Sequence, residues 1–327
     1  MLGFLFLNPS PFEPSCIIAL FLRTPLKCAV YFLYRFLTAL RSPPSPYTHP
    51  VRVVCLSDTH TLTQPIPDGD VLVHAGDLAN AGDLSELQAQ IDWLNSLPHP
   101  HKVVIAGNHD TYLDPRSRRT LSDEQRHREL RWGNIHYLQH SSVILRIPNP
   151  VGPSKYRSLK VHGAPQIPQC GGPEFAFQYP RGRDAWTETI PKDVDVLVTH
   201  TPPRYHLDLP LPTGLGDEYL MREVWRVRPQ LHVFGHVHVA AGREVNWWDD
   251  GQAAYERALS RPVGCLTRGL LDIAMWIDLA MVLFWGVRNV IWDRVWGGEG
   301  RSTILVNAGL MRGNSGRLGN KVQVVEI

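Results

Sequence analysis

Apolar and polar positions along the chain change rhythm three times. Over residues 1–50 the pattern is rich in Leu, Phe and Ile but is broken by Pro9, Pro11, Pro14 and Pro25. Its longest uncharged stretches, 1–12 and 14–22, stay below the roughly 18 to 20 apolar residues that a membrane span needs. Leu26, Val30, Phe32, Leu33, Phe36 and Leu37 predict a helix over 25–40 with Lys27 and Arg35 among them. Such a helix suits a membrane interface or a partner groove, and an unpacked leader is the other reading. Four prolines between 42 and 50 mark a linker, so the folded domain is expected to start near Val51. From there short β-rich runs alternate with helical patterns at 83–97, 121–132 and 217–227, the rhythm of a layered α/β domain. Runs at 303–308 and 321–327 read as closing strands.

A third rhythm interrupts the domain at 257–301. Between 270 and 296 the polar residues are Asp272, Asp278, Arg288, Asn289, Asp293 and Arg294. All but Arg288 fall within about 160° of helical arc, opposite a broad face that includes Ile273, Trp276, Leu283, Val287 and Ile291. This amphipathic helix is expected to pack on the flank of its own domain, with insertion into a membrane interface and a partner groove as alternatives. Its longest uncharged run, 279–287, reads as too short to span a bilayer.

Five of the apolar runs end in the same way. Residues 51–57 lead into Asp58-Thr59-His60, 71–75 into Gly76-Asp77, and 103–106 into Gly107-Asn108-His109-Asp110. Residues 194–199 lead into His200, and 231–234 into Gly235-His236-Val237-His238. Ligands of α/β sheets bind in the crevice beyond the C-terminal ends of such strands, so these polar residues are expected to converge. Asp58, His60, Asp77, Asn108, His200, His236 and His238 amount to two carboxylates, an amide oxygen and four imidazoles. That is too many for one tetrahedral ion. Shared between two divalent ions, with one carboxylate common to both, the set supplies four protein ligands to each. Mixed nitrogen and oxygen donors suit Mn, Fe, Zn or Co better than Ca or Mg. Gly76, Gly107 and Gly235 allow the close backbone approach that such loops require.

The ordered phrases D-x-H, G-D, G-N-H-D, a lone His after a strand and G-H-x-H resemble the calcineurin-like metallophosphoesterase superfamily, over about 51–256 and 302–327. Gly163-Ala164-Pro165 with Pro168, Ala176-Phe177, Pro180-Arg181-Gly182 and His200-Thr201-Pro202-Pro203 are similar to its MPPED-type subgroup, whose members include metal-dependent phosphodiesterases. The resemblance implies a four-layer αββα sandwich, two mixed β-sheets flanked by helices. It also implies Asp58, His60, Asp77 and His238 on one ion and Asp77, Asn108, His200 and His236 on the other, with Asp77 as the bridge. His109 is implied beside the scissile phosphate as general acid or transition-state donor, with Asp110 orienting it. Thr61 stands where the family commonly has glycine or asparagine. The chemistry implied is in-line attack by a hydroxide bridging two ions, on phosphodiesters, cyclic nucleotides included, in preference to monoesters. A diester's alkoxide leaving group needs a proton, which histidine is suited to supply near neutral pH.

Asn108 and His109 are expected to contact substrate. Arg181, Arg204 and His206 are candidates at the pocket rim, although loop arginines are as a rule solvated or structural. His74, His162 and His232 lie inside apolar runs and read as core histidines, whereas His99, His101, His127, His136 and His140 read as surface residues.

Composition narrows the partners. A net charge of +2 over 327 residues lacks the basic excess of a chain held on nucleic acid, so the expected partner is a small phosphoester and no obligate nucleic acid. Residues 1–50 carry Arg23, Lys27, Arg35 and Arg41 against Glu13. Together with the insertion, this basic and apolar tail points to peripheral membrane contact through 1–45 and 257–301. Five widely spaced cysteines without a C-x-x-C pair indicate a reducing, cytoplasmic setting. The alternative function is a metal-binding but catalytically idle adaptor for a membrane or a protein.

Overall fold

The computed structural model of the protein describes residues 21–42, 44, 49–149, 154–208, 214–262, 270–297 and 302–327. The first sheet is built mainly from the early apolar runs: β1 (Arg52–Leu56), β2 (Val71–His74), β3 (His101–Val104) and β4 (Ile135–Tyr137) lie parallel in order. The last strand of the chain, β13 (Gln323–Glu326), pairs antiparallel with β1. A second sheet has the order β11-β12-β10-β9-β6-β5. Its members are β5 (Ser141–Pro148), β6 (Tyr156–Ala164), β9 (Val196–Thr199), β10 (Leu231–Phe234), β11 (Gly242–Asn246) and β12 (Thr303–Asn307). The short pair β7 (Ile167–Pro168) and β8 (Gln178–Tyr179) forms a ladder of its own.

Strand periodicity divides the core into layers. In β1, Val53 and Cys55 face the cluster shared with Val161, Val196, Val198, Val233 and Val306 of the second sheet, while Val54 and Leu56 face the opposite side. A helix at Leu84–Ser96 covers that opposite side with Leu87, Ile91 and Leu94. On the far face of the second sheet, a helix at Glu218–Val227 sets Leu220, Met221 and Val224 against Ala164 and Leu197. Each buried side chain of this size contributes about 1.5–3 kcal/mol. The expected four-layer αββα sandwich is therefore present.

Numbered in chain order, the helices bounded within the described residues are α1 (Pro25–Ala39), α2 (Leu84–Ser96), α3 (Asp123–Arg126), α4 (Glu218–Val227), α5 (Asp250–Ser260) and α6 (Ile273–Trp296). Aspartates open four of them: Asp83, Asp217, Asp249 and Asp272 accept backbone N–H groups at the starts of α2, α4, α5 and α6, which satisfies donors that a helix leaves unpaired.

Three expectations change. The helical pattern at 121–132 yields only α3. Gln88 of α2 bonds both the N–H and the carbonyl of Arg131, and Asn95 takes the Trp132 carbonyl and the Asn134 N–H. These side chains take over backbone groups that a longer helix would have paired internally. The described part of the tail is not an unpacked leader, and it shares its packing with the insertion. Leu26, Cys28 and Val30 of α1 share a cluster with Ala254, Tyr255, Ala258 and Leu259 of α5 and with Met275 and Val282 of α6. The same helical layer includes α5, Asp250–Ser260. Of the expected linker, 43 and 45–48 lie outside the described residues. Finally, α6 is 24 residues long, about 36 Å, and by length and composition it is long enough to cross a membrane. Counting only its uncharged run understated that reach.

Candidate metal centre

Parallel order places the ends of β1, β2 and β3 side by side, and β9 and β10 are likewise neighbours. The Gly235 N–H reaches the His200 carbonyl, and Ser57 bridges to Gly309, so loops from both sheets meet at one edge. Several turn sharply. Asp58, His60, Asp77 and His236 have φ of 55°, 44°, 54° and 66°, a left-handed region that residues other than glycine rarely occupy and that collects at functional sites. Gly76, at φ 97°, lies where an added Cβ would stand 2.6 Å from the Ala106 carbonyl oxygen. At Gly107 the obstacle is the Asp77 carboxylate itself, 2.2 Å away. Thr61 has φ 69°, which explains why glycine or asparagine suits that position.

Two groups of donor atoms result. Asp58, His60, Asp77 and His238 have ligand atoms within 4.8 Å of one another, as do Asp77, His200 and His236. Asp77 belongs to both. Asn108 adds Oδ1, 3.0 Å from His200 Nε2. His238 Nε2 lies 3.1 Å from Asp58 Oδ1 and 3.4 Å from His60 Nε2, and His200 Nε2 lies 3.3 Å from Asp77 Oδ2. An ion bound at about 2.0–2.1 Å to each of two ligands holds them about 3–3.5 Å apart in tetrahedral geometry. The donor set therefore fits divalent metal.

Surrounding hydrogen bonds orient the candidate ligands. His200 Nδ1–H donates to the Ala75 carbonyl and His238 Nδ1–H to that of Gly313, so each presents Nε2 to the centre, as metal-binding imidazoles commonly do. Asp77 Oδ1 accepts the His109 N–H, and both Asp58 oxygens accept the His236 N–H. Burial opposes charge on His200 and His238, but Asp77 and Asp58 outweigh it and push each imidazole up to about 9. The carboxylates move the other way: burial notwithstanding, His238 holds Asp58 well below the usual carboxylate range, and His200 does the same for Asp77. Burial keeps His60 below its ordinary value and pushes His236 down to about 3, leaving both as neutral donors. Metal uptake here competes with protons.

Residues 48–240 match the calcineurin-like phosphoesterase family. The chain belongs to that family. A probable rhamnogalacturonate lyase C of Emericella nidulans is 40% identical over 296 residues, 90% of this chain but 26% of that protein. Metallophosphoesterase domain-containing protein 1 of Homo sapiens is 37% identical over 223 residues, 61% of this chain and 63% of that one. A Caenorhabditis elegans protein of the UPF0046 group is 35% identical over 215 residues, covering 61% of this chain and 73% of its own. The chain thus spans about a quarter of the first of these relatives and just under two thirds of the second. Among solved structures, TT1561 of Thermus thermophilus aligns at a TM-score of 0.37 with 16% identity, over 61% of this chain and 85% of that one.

In this calcineurin-like site the cleft over the donors is lined by Asp77, Asn108, His109, His236 and His238, with Cys170, Phe175, Val239, Gly313 and Asn314 around them. His109 does not lean on Asp110. Its Nδ1–H donates to the Asn80 carbonyl at 2.8 Å, while the buried Asp110 carboxylate accepts the Ala79 and Gly107 N–H groups. Glu86 in turn gathers the N–H groups of Asn80, Ala81 and Gly82 on one oxygen. That residue was missed, although D-x-x-E at 83–86 is a readable helix-start signature. Also missed were Asn307, whose amide holds the Leu207 and Val237 carbonyls, and Asn320, which holds that of His238. Asn307 ends an apolar run and so follows the rule that exposed the ligands.

The rim candidates separate. Arg181 is exposed, with Nε on the Gln169 carbonyl next to cleft-lining Cys170. Arg204 pairs instead with Glu218 at 3.0 Å. His206 is buried between Glu244 at 2.6 Å and Glu256 at 3.1 Å, away from the cleft, because two carboxylates from β11 and α5 hold it more strongly than a solvated rim can. His74 and His162 are core histidines held by Thr59 and Ser142 hydroxyls, and His232 meets Thr199.

His206 yields a prediction. Burial disfavours its charge, but Glu244 and Glu256 prevail and push it up to about 10. Asp208, Tyr255 and the Glu244-bound Arg35 complete its surroundings. A raised folded-state pKa means that the pair's stabilisation is complete below the ordinary histidine value and is lost as pH rises through about 10. His206→Ala is expected to cost about 3–5 kcal/mol at neutral pH, with the gap from wild type closing toward alkaline pH in urea unfolding. A gap that widens with pH would contradict this origin.

Proposed function

We propose that the protein is a dinuclear metal-dependent phosphoesterase acting on small phosphoesters, with phosphodiesters, cyclic nucleotides among them, preferred over monoesters. The observation that carries this reading is the pair of donor groups sharing Asp77 at the floor of an open cleft. Asp58, His60, Asp77 and His238 would hold one ion and Asp77, Asn108, His200 and His236 the other, with Mn, Fe, Zn or Co matching the donors. Bound there, divalent ions supply Lewis acidity toward phosphoryl oxygen and make water a stronger acid.

The chain's own residues position and protonate. With Nδ1–H committed to Asn80, His109 has Nε2 as the atom that passes a proton to the leaving oxygen or donates to the phosphoryl group. Phe175 packs on the His109 ring, 4.8 Å between centroids, and with Val239 gives the cleft apolar walls. Such walls suit the second ester group of a diester. The described cysteines, Cys28, Cys55 and Cys170, are free thiols, which agrees with a cytoplasmic setting.

The test is hydrolysis of a generic aryl diester and the matching monoester by protein loaded with Mn. The diester is expected to be cleaved at least tenfold more efficiently. Cleavage of the monoester alone would remove the diester preference, and cleavage of neither would leave the catalytically idle adaptor.

A further inference from the structure

The long helix α6 is mounted inside out. Its polar stripe faces the protein: Asp278 takes Nε of both Arg257 and Arg261 at 2.7 Å, and Asp293 takes Nε of Arg41 at 2.7 Å. Asn289 is buried on the same side, and Gly286 lets Leu37 of α1 approach so closely that a Cβ would stand 2.4 Å from it. The side turned outward is apolar. Ile273, Trp276, Ile277, Leu283, Phe284, Val287, Ile291, Trp292, Val295 and Trp296 are all exposed, Phe284 by 62% and Trp296 by 64%. Helices that end at water bury their apolar side and expose their polar one, so this surface is built for something other than water.

We propose that the outward face of α6 seats the protein on the surface of an anionic lipid bilayer, lying in the interface and not across it. Charge complementarity selects this occupant. Within α6 both acidic side chains are turned inward and paired, while the exposed charges are Arg288, stacked over Trp285 at 5.2 Å, and Arg294. An apolar face with cations, and with no exposed carboxylate within Ile273–Trp296, matches a surface of acyl chains and anionic headgroups. Tryptophan, present near both ends of the exposed stripe, favours that boundary. Crossing the bilayer is incompatible with the mounting, because Asp278 and Asp293 would have to leave Arg257 of α5 and Arg41 and Arg261, which follow α1 and α5. On α1, packed against α6, Phe32 and Phe36 are exposed as well, and two apolar elements hold a bilayer more firmly than one.

The test uses the full chain, co-sedimented with phosphatidylcholine vesicles and with vesicles of phosphatidylcholine and phosphatidylserine. Binding is expected to favour the anionic vesicles, to weaken with added salt, and to shift tryptophan emission to the blue. Ile291→Asp with Trp292→Asp should lower vesicle binding at least tenfold while hydrolysis in solution is retained, and Arg288→Ala should lower it about fivefold. Ile144→Asp, a charge placed on an exposed isoleucine of β5, should leave it unchanged. Wild-type protein that stays in the supernatant at low salt overturns the proposal. So does a lipid-free dimer that Ile291→Asp with Trp292→Asp dissociates, since the face would then seat a second copy.

Discussion

Asp77→Asn is expected to reduce ester hydrolysis on the order of 10³-fold or more and to lower bound metal, while leaving the fold intact. The substitution preserves shape. Asn retains an oxygen for the His109 N–H that Asp77 Oδ1 now accepts at 2.8 Å, and Asn tolerates the left-handed backbone, φ 54°, found here. What it removes is the one negative charge common to both donor groups. The buried imidazole of His200, 3.3 Å from Asp77 Oδ2, loses its main counter-charge, and an ion held there would lose a carboxylate ligand. Metal analysis after dialysis, with circular dichroism as the control, checks the result. Wild-type turnover with full metal content would show that Asp77 is not the shared ligand.

For His109→Ala the expected loss is about 10²–10⁴ in turnover with metal content unchanged. Geometry separates this residue from the ligands. Its side chain is tied through Nδ1 to the Asn80 carbonyl, in a loop that Glu86 holds by three backbone N–H groups, and the residue lies in neither donor group. Its hydrogen bond to Asp77 is made by the backbone N–H, and alanine keeps that bond. The loss should appear in kcat more than in KM, and most strongly for diesters with poor leaving groups, where protonation of the departing oxygen matters most. Loss of metal from this variant would mean that His109 ligates.

How much of this could be read in the chain depended on whether the determining interactions were local. The runs before Asp58, Asp77, Asn108, His200 and His236 are each a short, nearly continuous apolar stretch ending in a polar residue, so both the strands and the candidate donors at their ends were legible. Helix starts at Asp83 and Asp217 were equally local, because a cap bonds within two or three residues of itself.

Partners chosen across the fold were not legible. Asp110 is adjacent to His109 in sequence, yet backbone N–H groups of Ala79 and Gly107 claim its carboxylate and Asn80 claims the imidazole. His206 looks like a rim residue until β11 and α5 bring Glu244 and Glu256 to either side. The clearest division runs through α6. Sequence by itself determined that 270–296 would be a helix with one polar and one apolar side, since that follows from which residues share a face at 3.6 per turn. Only the tertiary structure decided which side would face inward: Arg41, Arg257 and Arg261 stand where Asp293 and Asp278 can meet them. Removing those acids from water without a cation costs far more than leaving an apolar face uncovered.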